Sequence, residues 1–248
     1  MKKILLISFT LILTNYLLAQ DTDSEWSGKF SVGGSYYKGN VTKTDIRSDG
    51  TVSHTDSTFE FSTSYKTIYG RNGSEENNRE FSSTIKFDWK PYSKISPFLA
   101  FETYSNVYKG YDLRLSSLAG AKFTIYQTDN SDYSFSTAAL YSIEKYTVPE
   151  IPDENFISTS EIFRLSIRPK IEQKLGDNVV LKHTTYYQPN VKNFSDYILE
   201  TKTSITNKLT DVLFLDLSFE YDYVSSPPSE DIEKEDIAII VSLIIKFN

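Results

Sequence analysis

The strongest constraint on this chain is an alternation of period two that returns along nearly its whole length. From Thr58 the even positions Thr58, Glu60, Ser62, Ser64 and Lys66 are polar, while Phe59, Phe61, Tyr65 and Tyr69 fall on the odd ones. The pattern recurs at Phe81, Ile85, Phe87 and Trp89 against Glu80, Ser82, Thr84, Lys86 and Asp88. It returns at Leu213, Leu215, Leu217 and Phe219 against Asp216, Ser218 and Glu220. Such spacing places unlike chemistry on the two faces of a β-strand and cannot make one apolar stripe on a helix. Breaks of Gly, Asn, Asp and Pro divide the sequence into segments that predict about 12 strands, with 10–14 compatible with the punctuation. They lie at 26–38, 42–54, 57–70, 77–89, 95–109, 111–126, 132–146, 157–173, 178–189, 194–207, 211–224 and 236–248.

Composition narrows what those strands can belong to. The chain has no Cys, which excludes disulfides, thiolate zinc sites and a cysteine nucleophile. A net charge of -7 without a basic cluster argues against nucleic acid as a partner. Lys2 and Lys3, the run Ile4 to Leu13 and the small residue Ala19 have the layout of a secretory signal peptide over 1–19, leaving 20–248 as one domain. A spanning helix needs about 20 apolar residues; Ser8, Thr10, Thr14 and Asn15 interrupt this run.

An exported all-β chain of this pattern is either a soluble barrel with apolar residues inside or a membrane barrel with them outside. The predicted strands exceed the roughly 9–11 residues needed to cross a bilayer obliquely. Charged positions such as Arg114, Lys122, Arg164, Arg168 and Glu172 share a face with Ser and Thr, and Tyr and Trp gather near strand ends. Connections alternate as well, since Thr147 to Asn155 and Ser225 to Asp236, the two longest, fall on the same predicted side. The expected fold class is therefore all-β, a transmembrane antiparallel up-and-down β-barrel in the cell outer membrane. Its mean hydropathy of -0.36 fits, because only every second strand residue faces lipid.

The segment Trp26-Ser27-Gly28, Gly33-Gly34-Ser35 and Gly39-Asn40-Val41-Thr42, with Tyr108-Lys109-Gly110-Tyr111-Asp112 further on, resembles the salt-induced outer-membrane protein family of Gram-negative envelopes. Gly39-Asn40 would supply the positive-φ positions of a tight hairpin. The resemblance implies an outer-membrane barrel of unassigned activity and brings no catalytic motif. Barrels of this kind usually end on Phe, which resembles the signal read by the barrel-assembly machinery. Here Phe247 precedes Asn248 and keeps the apolar parity of the last strand.

Little in the sequence points to chemistry. His54 and His183 are the only neutral-pH bases of the usual kind, and neither sits in a nucleophile motif. A barrel-embedded lipid hydrolase or acyltransferase, or a soluble barrel binding an apolar ligand, are the rival readings. Five carboxylates between Glu230 and Asp236 offer oxygen ligands without the spacing of a calcium loop. The inward parity instead assigns Lys86, Asp88, Glu102, Arg114, Lys122, Arg164, Arg168, Asp216 and Glu220 to a mixed-charge lumen, where charges persist when paired. The expectation is a monomeric, non-enzymatic barrel without cofactors or metal, in contact with outer-membrane lipid, structural or passing small solutes.

Overall fold

The computed structural model describes residues 25–38, 43–72, 75–91, 93–148 and 157–247. The signal segment, Gly39-Asn40 and Asn248 lie outside them. Twelve strands run in chain order: β1 (Glu25–Lys38), β2 (Lys43–Thr55), β3 (Phe59–Asn72), β4 (Glu75–Trp89), β5 (Ile95–Asn106) and β6 (Tyr111–Gln127). They continue with β7 (Ser131–Tyr146), β8 (Thr159–Lys174), β9 (Val179–Asn190), β10 (Asn193–Lys208), β11 (Leu213–Val224) and β12 (Glu235–Phe247). Each pairs antiparallel with its sequence neighbours, and β1 closes on β12 from Gly28↔Phe247 to Lys38↔Ile237. Closure leaves no sheet edge, so every strand has a hydrogen-bonding neighbour on both sides.

The alternation sorts as its chemistry demands. Along β12, Ile239, Val241, Leu243 and Ile245 are exposed on the outside, whereas Asp236, Ala238, Ile240 and Ser242 are buried inside. The outer belt is bounded by aromatic clusters at the two strand ends. Trp26 lies 4.7 Å from His54, and Phe59 stacks on Phe87, at the end that holds the chain's first and last strand residues. Tyr187, Tyr197 and Tyr223 form a row with 5.5 and 5.6 Å spacings at the opposite end. An apolar band between two aromatic rims is the surface a bilayer solvates, and one that water would not.

Every connection at the end bearing Glu25 and Phe247 is short: Asp56 to Thr58, Lys90 to Lys94, Thr128 to Asn130, Leu175 to Asn178 and Leu209 to Val212. The two longest, Thr147 to Ser158 and Ser225 to Lys234, both lie at the other end. One connection differs from the tight Lys109-Gly110 hairpin that the sequence suggests. Strand β5 stops at Asn106, whose side chain accepts from the Tyr108 amide and caps a 3₁₀ turn over Val107–Lys109. Gly110 follows at φ 81° and ends the turn.

At two seams the neighbouring strands approach closely, and both carry an inward glycine. Gly33 on β1 faces Ser242 on β12, where a Cβ would strike the Val241 carbonyl oxygen and the Ser242 hydroxyl. Gly120 on β6 faces Ala138 on β7, where a Cβ would strike the Thr137 carbonyl oxygen. In the ring of strands these seams lie opposite one another. Beside the first seam Ile68 of β3 clusters with Ala238 and Ile240 of β12, although β1 and β2 intervene. Neighbouring strands are about 4.8 Å apart, so side chains that short meet only if the wall folds back on itself. Beside the second seam Phe98, Ala100, Leu118, Ala138 and Leu140 form an apolar cluster across the adjacent strands β5, β6 and β7.

Two predictions follow from local geometry. Gly120→Val forces a branched side chain against a strand carbonyl and costs about 1–3 kcal/mol or more; the folded, heat-modifiable fraction on gels after refolding into micelles should fall well below wild type. In the first short turn the Asp56 carboxylate accepts from the Thr58 amide at 2.6 Å and the Phe59 amide at 2.9 Å. These bonds, that from Phe59 foremost, hold its pKa below the ordinary value. A depressed pKa means their contribution is complete above the unfolded carboxyl pKa and is lost as pH falls through the folded one. Amide exchange at Phe59 should therefore show an acid-dependent loss of protection, and Asp56→Ala should remove both the protection and its pH dependence.

Candidate functional site: the lumen

The inward positions that the sequence marks as polar converge on a cavity of about 750 Å³. Its lining runs from Glu60, Asp88, Lys122 and Asp132 at one end to Asp222, Pro227, Pro228 and Asp236 at the other. With twelve strands and these inward side chains the interior is far from the wide aqueous bore of barrels with 16–18 strands.

Two arginine–carboxylate pairs reach across the interior near the Gly33 and Gly120 seams. Arg47 on β2 donates to both oxygens of Glu220 on β11, at 2.9 and 3.0 Å, reaching across β1 and β12. Its cross-strand neighbour is Gly33, so the guanidinium stem starts at the first seam. Arg168 on β8 donates to Glu102 on β5 at 3.0 Å, reaching across β7 and β6. Ser116 and Ser136, the cross-strand neighbours of Glu102 and Arg168, leave room beneath it. Bidentate pairing suits the planar guanidinium, and neither carboxylate is left as an uncompensated inward charge.

Around these two pairs most lining charges are paired as well. Lys202 adds a second cation to Glu220 at 2.8 Å, and Lys66 pairs with Glu80. Asn106 and Tyr104 also donate to Glu80, at 3.1 and 3.5 Å. Lys86 meets Asp88 at 2.6 Å, and Lys170 lies 3.3 Å from both Asp132 and Glu172. Arg164 and Asp216 are buried and do not line the cavity: Arg164 bonds Asp196 at 3.1 Å, and Asp216 accepts from Thr206 and Ser218, both at 2.5 Å. Lys122 donates to the Pro91 carbonyl oxygen at 3.3 Å.

Arg114 departs from the counter-charge role that parity suggested. Its guanidinium lies over the rings of Tyr104 and Tyr111, at 4.7 and 5.2 Å, and it has no ion pair among the described residues. Several inward charges are not singled out by the sequence: Arg47, Lys66, Glu80, Lys109, Lys202, Glu200 and Asp222 all reach the lumen side. For most of them the signal is the same parity rule, applied to every strand. For Arg47 it is weak, because β2 carries polar residues on both faces.

The mouth at the long-connection end is crossed by the loop from Ser225 to Lys234. The loop is rooted by the Tyr197 amide on the Ser225 hydroxyl at 2.7 Å, and Pro228 and Ile232 reach Gly110 on the far rim. A Cβ on Gly110 would lie 2.5 Å from Ile232 and 3.2 Å from Pro228, a second reason for glycine there. Lys109 spans the same gap to Asp222 at 3.2 Å and Asp236 at 3.1 Å. Burial disfavours its charge, but Asp222, Tyr104, Glu80 and Asp236 outweigh that and hold its pKa well above the ordinary lysine value. Among the described residues no cluster of carboxylates and histidines is arranged to hold a metal ion, the acidic loop included.

The histidines lie outside the lumen. His54 belongs to the aromatic rim beside Trp26 and Phe59. His183 faces outward from β9, its ring nitrogens 2.9 Å from the Thr203 hydroxyl and 3.2 Å from that of Thr185. No carboxylate orients either ring among the described hydrogen bonds, so neither has the third member that nucleophile–base pairs use. Phe247 packs its ring over Gly28 on the outer face of the closing seam.

The fold is that of outer-membrane barrels. The NanC porin aligns over 88% of this chain and 100% of its own, with a TM-score of 0.57 and 10% identity. The Salmonella typhi outer membrane phospholipase aligns over 88% of this chain and 90% of its own, with a TM-score of 0.50 and 10% identity. At such identities the likeness concerns architecture alone. No curated protein matches the sequence. A family model does match, over residues 30–247, and by it the chain belongs to the family described as a protein of unknown function, DUF481.

Proposed function

We propose that this protein is a passive, non-enzymatic outer-membrane channel for small polar solutes, with a charge-balanced lumen and a strapped outer mouth. The observation that carries this reading is the 750 Å³ cavity, which follows the barrel from one end to the other between paired charges. Paired charges keep the path polar without presenting a strong net field to one sign of ion. Residues 1–19 act in this reading as a cleaved signal peptide, and Phe247 as the mark read by the barrel-assembly machinery. The barrel then sits as a monomer in outer-membrane lipid. The opening motif from Trp26 to Thr42 supports placing it with the salt-induced outer-membrane proteins.

The Ser225–Lys234 strap sets the conductance in this account. Lys109→Met removes the ion pairs that tie the far rim to Asp222 and Asp236, the strand residues flanking the strap, worth about 1–2 kcal/mol after allowing for water at the mouth. In planar bilayers wild type should give stepwise currents, and Lys109→Met should raise the open fraction about tenfold. Silence from both proteins, with folding shown by heat-dependent gel mobility, would remove the channel reading.

A further inference from the structure

Within the lumen, Arg114 and Glu200 differ from the other charges. Lys66, Lys86, Lys109, Arg168, Lys170 and Lys202 each meet a carboxylate. Lys122 is satisfied by a carbonyl, while Glu60, second in β3, and Lys234, the last residue of the strap, stand at the two mouths. Arg114 carries five N–H donors, and none finds an acceptor among the described residues; only the faces of Tyr104 and Tyr111 engage its guanidinium. Its cross-strand neighbour Glu144 is held instead by the Tyr146 hydroxyl at 2.9 Å. Glu200 on β10 accepts no hydrogen bond and makes no ion pair among the described residues, and both side chains line the same cavity. Its neighbour across the strands, Asp222, is already taken by Lys109.

A cation rich in unused donors and an anion with unused lone pairs thus face one space without meeting within 4.0 Å. Each lacks the partner that would offset its partial desolvation, and one molecule with two charged ends supplies both. We propose that Arg114 and Glu200 form a binding site for small zwitterionic solutes, with the solute carboxylate on the Arg114 fork and its ammonium on Glu200. Tyr104 and Tyr111 act as positioning residues, since stacking fixes the plane of the guanidinium and aims its edge into the cavity. The inference rests on the lumen being the solute path and names the class of solute retained there.

The test uses the full-length barrel folded in detergent and titrated calorimetrically, so that binding is read whether or not the lumen conducts. The probes are glycine, 4-aminobutanoate and 6-aminohexanoate as a ruler of charge separation, with butanoate and butylamine as single-charge controls. At least one amino acid should bind about tenfold more tightly than either control, the gain of one further charge-assisted contact. Arg114→Met and Glu200→Gln should each abolish that advantage, and Arg114→Lys, which keeps charge but not the fork, should retain part of it. Butylamine binding as tightly as the amino acids would overturn the proposal. So would no binding by any probe, or an advantage that survives both substitutions. If either variant fails to show heat-modifiable mobility, the wild-type probe series decides alone. Bilayer currents separate the two readings: conduction without discrimination overturns the site and leaves the channel, whereas discrimination without conduction does the reverse.

Discussion

Everything in this fold depends on the closing ladder between β1 and β12. In hydrocarbon no solvent can satisfy a backbone N–H or carbonyl, so an open sheet of these strands would carry two unpaired edges at a cost of several kcal/mol per group. Eleven hairpin ladders produce only a curved sheet; the pairing from Gly28↔Phe247 to Lys38↔Ile237 makes it a membrane-compatible object. Once closed, the period of two divides the molecule into a lipid-facing surface and a polar interior. Phe247 over Gly28 then seals the seam on the outside, where an aromatic girdle is needed.

Strand number, strand limits and facing were largely readable in the sequence, because each follows from a local rule. The alternation around Phe59–Tyr69 and Leu213–Phe219 needs no knowledge of the rest of the chain to be assigned a face. Boundary differences are small for the same reason, and the largest, at Val107–Lys109, arose where strand-forming Val and Tyr are diverted into a 3₁₀ turn by the Asn106 cap. What escaped the sequence was contact across the lumen. Arg47 meets Glu220 from 173 residues away, and no local pattern in β2 or β11 announces that partner. Such contacts depend on the shape of the closed ring, which no strand reports by itself. Parity alone also assigned Arg114 as a counter-charge, whereas its guanidinium lies over Tyr104 of β5 and Tyr111 of its own strand.

Electrostatics and architecture answer one another inside the barrel. A lumen crowded with carboxylates and lysines would repel itself, yet opposite signs sit at matched heights and neutralise one another locally. The formal charge of -7 is therefore not imposed on a solute in the passage, which meets an alternating polar wall. Arg114 and Glu200, which have neither an ion pair nor a hydrogen bond among the described residues, are then conspicuous against a balanced background.

The two glycine seams have a geometric meaning. Gly33 and Gly120 lie at opposite places in the ring and divide it into two six-strand panels. The number of strands fixes the circumference of such a tube, whereas its width depends on the shape of the cross-section. One arginine–carboxylate pair joins the panels across each seam, Arg47–Glu220 at the first and Arg168–Glu102 at the second. Circumference is thus set by the backbone, and the cross-section is tied at both seams by side chains.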